Sequence, residues 1–338
     1  MRVNFRGRVG WCAVLLVVVA SGCAGAPTPG ETVGDSWDGP ARVEPIGQSE
    51  WSYQQAPGRM LATRHYRIHT TINSAADEDF RQSLATVMEG AWQQYRRLTP
   101  GIAQTGAPLE CYVFERRSQW ADFTARNAGQ DAVVYLQITR GGYAVGDRYV
   151  AYYLGHQATF SVAAHEGWHQ YVARHFKGRL PPFLEEGIAC MFEDVRWDGK
   201  LPRWNLSKNT RRAQALGDAI DDGSVLPLEQ LVSMHAGQLV DKPGAKIEAF
   251  YAQCWAFARF LRDAEGGKYR PVFQKLLADT AAGTVDDLSG AHTATTAPWY
   301  PASVQPMLEQ YVGTDLATLD LPYRTYLSKI AIARTQHE

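Results

Sequence analysis

The residues best placed to do chemistry are His165-Glu166-Gly167-Trp168-His169, an instance of H-E-x-x-H. Side chains four apart on a helix share one face, so His165 and His169 can grip a single metal ion. Glu166 follows the first histidine and can reach a water on that ion. Imidazole nitrogens suit zinc, and a carboxylate beside zinc suits proton transfer. Two histidines do not complete a catalytic site. A third protein ligand is needed, with one position left for water.

The sequence offers two candidates for that ligand. His175 follows His169 at the spacing of H-E-x-x-H-x-x-G-x-x-H, but Val172 stands where the pattern has glycine. A β-branched residue resists the positive φ needed to break the helix there. If the helix continues, His175 is rotated about 240° from His169 and faces away. It then reads as a surface residue near the helix C-terminus. The other candidate lies in Leu180-Pro181-Pro182-Phe183-Leu184-Glu185-Glu186-Gly187-Ile188-Ala189-Cys190-Met191-Phe192-Glu193. Pro182 suits a helix start, and Leu184, Ile188 and Met191 form an apolar stripe. Glu186 lies on another side, near Ala189 and Glu193. Gly187 and Ala189 are small enough for this helix to approach the first one closely. Spacing alone leaves Glu185 and Glu186 both open as the ligand.

HEGWH followed by LEEGIACMFE resembles the gluzincin metallopeptidases, whose second motif commonly reads W-L-x-E-G-x-A-x-Y-x-E. The resemblance implies a His165, His169, Glu186 zinc site, one ion per chain, with Glu166 as general base. The Glu-Gly-x-Ala register favours Glu186 over Glu185. Phe250-Tyr251-Ala252-Gln253-Cys254-Trp255 resembles a segment on a later helix of that family, which implies that Tyr251 stabilises the transition state. Cys254 departs from the usual Gly or Ala. Cys190 stands where some zincins carry an acidic residue that orients a histidine, which leaves Glu193 or Asp194 for that task. The order from His65 to Leu327 is similar to the peptidase-MA-like lipoproteins of bacteria. That implies a zincin-like α+β fold, with the metal site between two lobes.

The elements that must position these residues follow from periodicity. Tyr66, Ile68, Thr70 and Ile72 alternate with polar residues, a strand with one buried face. His65 and His69 fall off that face and read as exposed. Phe80 to Tyr95 has helical spacing, Leu109 to Phe114 reads as a strand and Arg117 to Arg126 as a short helix. Gly146-Asp147 predicts a hairpin. The strand from Asp147 to Leu154 is expected to pair with an extended substrate. A helix is predicted over Thr159–Phe176, ended by Lys177-Gly178. Beyond it the chain is mainly helical: Leu184 to Val195, Asn209 to Ile220, Ala249 to Ala264, Tyr269 to Leu277 and Val304 to Val312. Arg196, Lys200, Arg203, Lys208, Arg211 and Arg212 read as a solvated basic face.

The 338 residues carry a formal net charge of −1, which argues against a nucleic-acid surface. Residues 1–23 read as a signal peptide. Arg2, Arg6 and Arg8 precede an apolar run, which ends at Ala20-Ser21-Gly22-Cys23. This resembles a lipobox, so Cys23 is the expected lipidation site. The protein is then an exported, lipid-anchored component of a bacterial cell envelope, with Ala24 favouring an outer membrane. Residues 24–58 read as a disordered tether, 59–178 as an N-terminal lobe with the H-E-x-x-H helix, and 179–330 as a helical lobe with the third ligand. Cys111, Cys190 and Cys254 permit at most one disulfide. The expected function is hydrolysis of peptide bonds in a peptide or protein substrate, by a chain expected to be monomeric. The alternative is a catalytically degenerate zinc-containing binding or scaffold lipoprotein.

Overall fold

The computed structural model describes residues 37–103, 106–198, 200–239, 244–285 and 301–332. The signal peptide, Cys23 and residues 24–36 of the expected tether lie outside the described residues. The chain is α+β, with a mixed six-stranded sheet and a helical C-terminal part. No helix among the described residues is long and apolar enough to cross a membrane.

Structure begins before residue 59, where the N-terminal lobe was expected to start. Strand β1 (Gly47–Tyr53) pairs antiparallel with β2 (Ala56–Ala62), across a turn at Gln54 and Gln55 with positive φ. The expected tether therefore gives way to strand well before residue 58. β1 is an edge strand whose residues are mostly exposed. It has little apolar alternation to betray it.

The sheet runs in the order β1-β2-β3-β4-β6-β5. β2 pairs antiparallel with β3 (Tyr66–Thr70), and β3, β4 (Leu109–Phe114) and β6 (Arg148–Tyr152) pair parallel with one another in that order. β5 (Gly142–Val145) closes the far edge, antiparallel to β6 across a turn at Gly146, where φ is +58°. Glycine adopts that conformation without a Cβ clash. Because β6 is paired on both sides, it cannot accept a substrate strand. The sheet's edges are β1 and β5.

Side chains on a strand alternate between faces, and both faces of this sheet are covered. Tyr149 and Ala151 of β6 enter the main core with α1 (Glu78–Leu98) and α4 (His156–His175). Val150 and Tyr152 enter a second cluster with Trp120 of α2 (Arg117–Asn127) and Tyr135 of α3 (Ala132–Tyr135). Burial on both faces explains the unbroken apolar run of β6.

The helical part consists of α5 (Pro182–Met191), α6 (Thr210–Asp221), α7 (Leu228–Ser233), α8 (Gly244–Asp263), α9 (Arg270–Ala282), α10 (Pro301–Val312) and α11 (Leu316–Ile330). A two-stranded ribbon, β7 (Arg196–Trp197) and β8 (Pro202–Arg203), lies between α5 and α6. The main core runs without a break from the sheet through α4 and α5 to α8 and α11. Gly187 faces α8, not α4. A Cβ there would lie 2.2 Å from the Cys254 carbonyl oxygen. The small residue serves the α5–α8 contact instead of the expected approach to the H-E-x-x-H helix.

Candidate metal centre

α4 is continuous through Val172, so His165 and His169 share one face. After α4 the chain turns back along the end of α9. Lys177 N–H donates to Ala281 O at 3.1 Å, and Gly178 N–H to Thr280 O at 3.0 Å. Pro182 at the first helical position then starts α5. This return brings Glu186 over the histidine pair.

Three atoms converge. His165 Nε2 and His169 Nε2 are 3.3 Å apart. Glu186 Oε2 lies 3.3 Å from the first and 3.5 Å from the second. A tetrahedral zinc ion with ligands at about 2.0–2.1 Å has ligand-to-ligand edges of about 3.3–3.4 Å. The observed triangle is close to one face of that tetrahedron, and the residues fit zinc on this ground. Glu186 Oε2 is buried without a hydrogen-bond partner. The three side chains are between 0 and 3% exposed.

The opposite ring nitrogens are already engaged. His165 Nδ1 lies 3.0 Å from Glu193 Oε1, and His169 Nδ1 lies 2.9 Å from Glu185 Oε1. Each Nδ1–H thus donates to a carboxylate, which leaves each Nε2 as an acceptor aimed at the common point. Three acceptors facing one another in a buried space lack a proton to share, and a cation answers that need. Glu186 thus joins the two Nε2 atoms, whereas Glu185 meets the far nitrogen of His169. Of the two acidic residues weighed for orienting a histidine, Glu193 is placed against His165.

Electrostatics follow the same geometry. Burial alone would raise the Glu186 carboxyl, but the neighbouring His169 and His165 hold it down to about 2. Burial would lower His165, but Glu186 and Glu193 outweigh it and raise the imidazole. Glu166 is fully buried, and neither carboxylate oxygen has a hydrogen-bond partner. Burial pushes its carboxyl up to about 7, against the histidines and with help from Glu186 and Glu193. A proton acceptor near neutrality is suited to general-base work.

Tyr251 of α8 is fully buried, with its ring centroid 6.5 Å from that of His165. Burial, then Glu186, pushes its phenol well above the ordinary value, so it keeps its proton. A second group, His165, Cys190 and Glu193, also lies within ligand distance. It fits a metal less well. Burial raises the Cys190 thiol far from thiolate formation, and Glu193 already accepts from Asn209 and Arg212.

Several expectations need correction. His175 is not a surface residue, because it packs against Tyr171 and Trp92, with ring centroids at 4.7 and 5.2 Å. It stands outside the converging group, as the helical rotation requires. His65 and His69 are not freely exposed. They are half-buried and paired with Glu89 and Glu110, each at 2.7 Å. Arg212 belongs to no solvated face, being fully buried beside the site. The limit of at most one disulfide needs no correction, since Cys111, Cys190 and Cys254 are all free and buried.

Arg212 and Asn209 are neighbours of this group that the sequence did not announce. Asn209 caps α6, accepting from Arg212 N–H at 3.0 Å, and its Nδ2 donates to Glu193 at 3.0 Å. An Asn before a helix signals a cap, but nothing local signals the carboxylate it meets. No family model, curated protein or solved structure matches this chain.

Proposed function

We propose that the protein is a zinc-dependent peptide hydrolase of the gluzincin type. The observation that carries this reading is the near-regular triangle of His165 Nε2, His169 Nε2 and Glu186 Oε2, with the unpartnered carboxylate of Glu166 adjoining it. Zinc, when bound, supplies Lewis acidity to a water and to the scissile carbonyl. Glu166 accepts the proton of the attacking water and returns it to the leaving amine. A purely structural site has no need of such a base, which favours hydrolysis over a degenerate scaffold. Tyr251 stays protonated and donates a hydrogen bond to the developing oxyanion, a contribution of about 3 kcal/mol in comparable sites. An extended peptide would add to the sheet at β5, the edge strand packed against α4.

The test is Glu166→Gln in zinc-loaded protein, assayed against a broad peptide library. Zinc content should stay at one equivalent per chain, while chelator-sensitive cleavage falls by about 10²–10⁴-fold. Unchanged turnover removes Glu166 as the base. The proposal also includes anchoring through Cys23, so Cys23→Ala should move the protein from the membrane to the soluble fraction of the envelope.

A further inference from the structure

We infer that Arg212 is a positioning residue of the metal centre: from the first turn of α6 it fixes the carboxylate that orients His165, and it lies across the ring of Tyr251. This rests on the reading of His165, His169 and Glu186 as a metal site.

Glu193 would be a poor orienting group if its carboxylate could rotate. Arg212 removes that freedom. Its Nε donates to Glu193 Oε2 at 2.9 Å and its Nη2 to Oε1 at 2.6 Å. A planar fork on both oxygens fixes the carboxylate plane, which a point charge does not. Oε1 also accepts from His165 Nδ1 at 3.0 Å, and Oε2 accepts from Asn209 Nδ2 at 3.0 Å. Each Glu193 oxygen thus has two donors, which set the plane of the His165 ring and leave Nε2 as the acceptor.

The third nitrogen reaches away from the site. Arg212 Nη1 donates to Glu248 of α8 at 2.8 Å, and Arg211 also pairs with Glu248, at 2.7 Å. The guanidinium carbon lies 5.0 Å from the Tyr251 ring centroid. One fully buried side chain therefore touches the orienting carboxylate, the proposed oxyanion donor and the helix that carries it. Burying a guanidinium costs several kcal/mol unless charge and geometry compensate. Two carboxylates and a ring face supply that compensation here.

A role confined to holding α6 on α8 would use the Glu248 arm alone, so variants can separate the two arms. The experiment measures zinc affinity of the full-length protein by competition with a chromophoric chelator, together with the visible spectrum of the cobalt-substituted form. Thermal melting of the metal-free protein controls for folding. Arg212→Lys and Arg212→Gln should weaken zinc binding by about 10–100-fold and alter the cobalt spectrum. Glu248→Gln should lower the melting temperature while leaving zinc affinity within about twofold. Arg212→Gln combined with Glu193→Gln should bind no more weakly than the worse single variant, because both act through one contact.

Arg212 variants that melt cooperatively and bind zinc like the parent, with an unchanged cobalt spectrum, overturn the inference. So does failure of both Arg212 variants to fold, which makes Arg212 a folding residue. A parent protein that takes up no metal instead overturns the underlying metal reading, and the inference with it.

Discussion

Glu185 and Glu186 are neighbours in the chain, yet they address opposite nitrogens of His169. Glu185 Oε1 lies 2.9 Å from Nδ1, whereas Glu186 Oε2 lies 3.5 Å from Nε2. Glu186→Gln removes a ligand charge and should weaken zinc binding by more than about 100-fold. Glu185→Gln removes only an orienting partner and should cost about tenfold. Equal losses in a zinc titration would contradict this division. A second residue-scale expectation concerns Glu89. Burial would raise its carboxyl, but hydrogen bonds from His65 and Thr63 outweigh it and hold the group below its ordinary range. A depressed carboxylate pKa gives stability that is present above the unfolded value and lost as pH falls through the folded one. Glu89→Gln should therefore lower the melting temperature near pH 7, and the gap to the parent should close below about pH 4.5. A gap that stays constant across that range would rule out the ionised Glu89 as its source. The histidine pair was legible because helical spacing is local, whereas Glu186 was favoured over Glu185 only by the resemblance, since its place over the histidines depends on how α5 returns along α4. Arg212 was not legible, because its burial depends on α6 docking against α8.

α5 approaches α8 so closely that Gly187 has no room for a methyl group. The Cys254 carbonyl oxygen would lie 2.2 Å from its Cβ, and the Ala258 methyl 3.1 Å. The first neighbour is backbone and cannot rotate aside. Gly187→Ala should destabilise the fold by about 1–3 kcal/mol, seen as a melting temperature lower by a few degrees. It should also weaken zinc binding, because α5 carries Glu186. A fully stable Gly187→Ala protein would show that the two helices can move apart freely. The elements themselves divide by how much apolar pattern they carry. β4 begins and ends at Leu109 and Phe114, as its alternation predicts, and the Gly146 hairpin is in place. α5 stops at Met191 instead of reaching Val195, since the chain must turn to bring Glu193 under His165. β1 and the first residues of β2 were read as tether because an exposed edge shows little periodicity. The internal position of β6 was also hidden, because strand order is set by pairing across the sheet and not by local sequence.

At the scale of the whole molecule, the candidate centre joins two parts of the chain. His165 and His169 come from the helix packed on the sheet, while Glu186 comes from the helical part. A metal held by all three pins α4 to α5. Because the main core is continuous from Ile68 through Trp168 and Ile188 to Tyr323, the two parts should unfold together. Metal that binds only the folded state adds stability by mass action, about 2.7 kcal/mol at a free concentration one hundred times the dissociation constant. Zinc should therefore raise the melting temperature of the metal-free protein without splitting its transition. Circular dichroism should follow all the helices, and tryptophan fluorescence should follow residues in both parts, Trp168 and Trp255 among them. The two curves should coincide with and without zinc, and Glu186→Gln should show little of the shift. Two separated transitions in the metal-free protein would mean that the parts fold independently and that the metal, not the core, couples them. An equal shift in the Glu186→Gln protein would place the stabilising metal somewhere other than between α4 and α5.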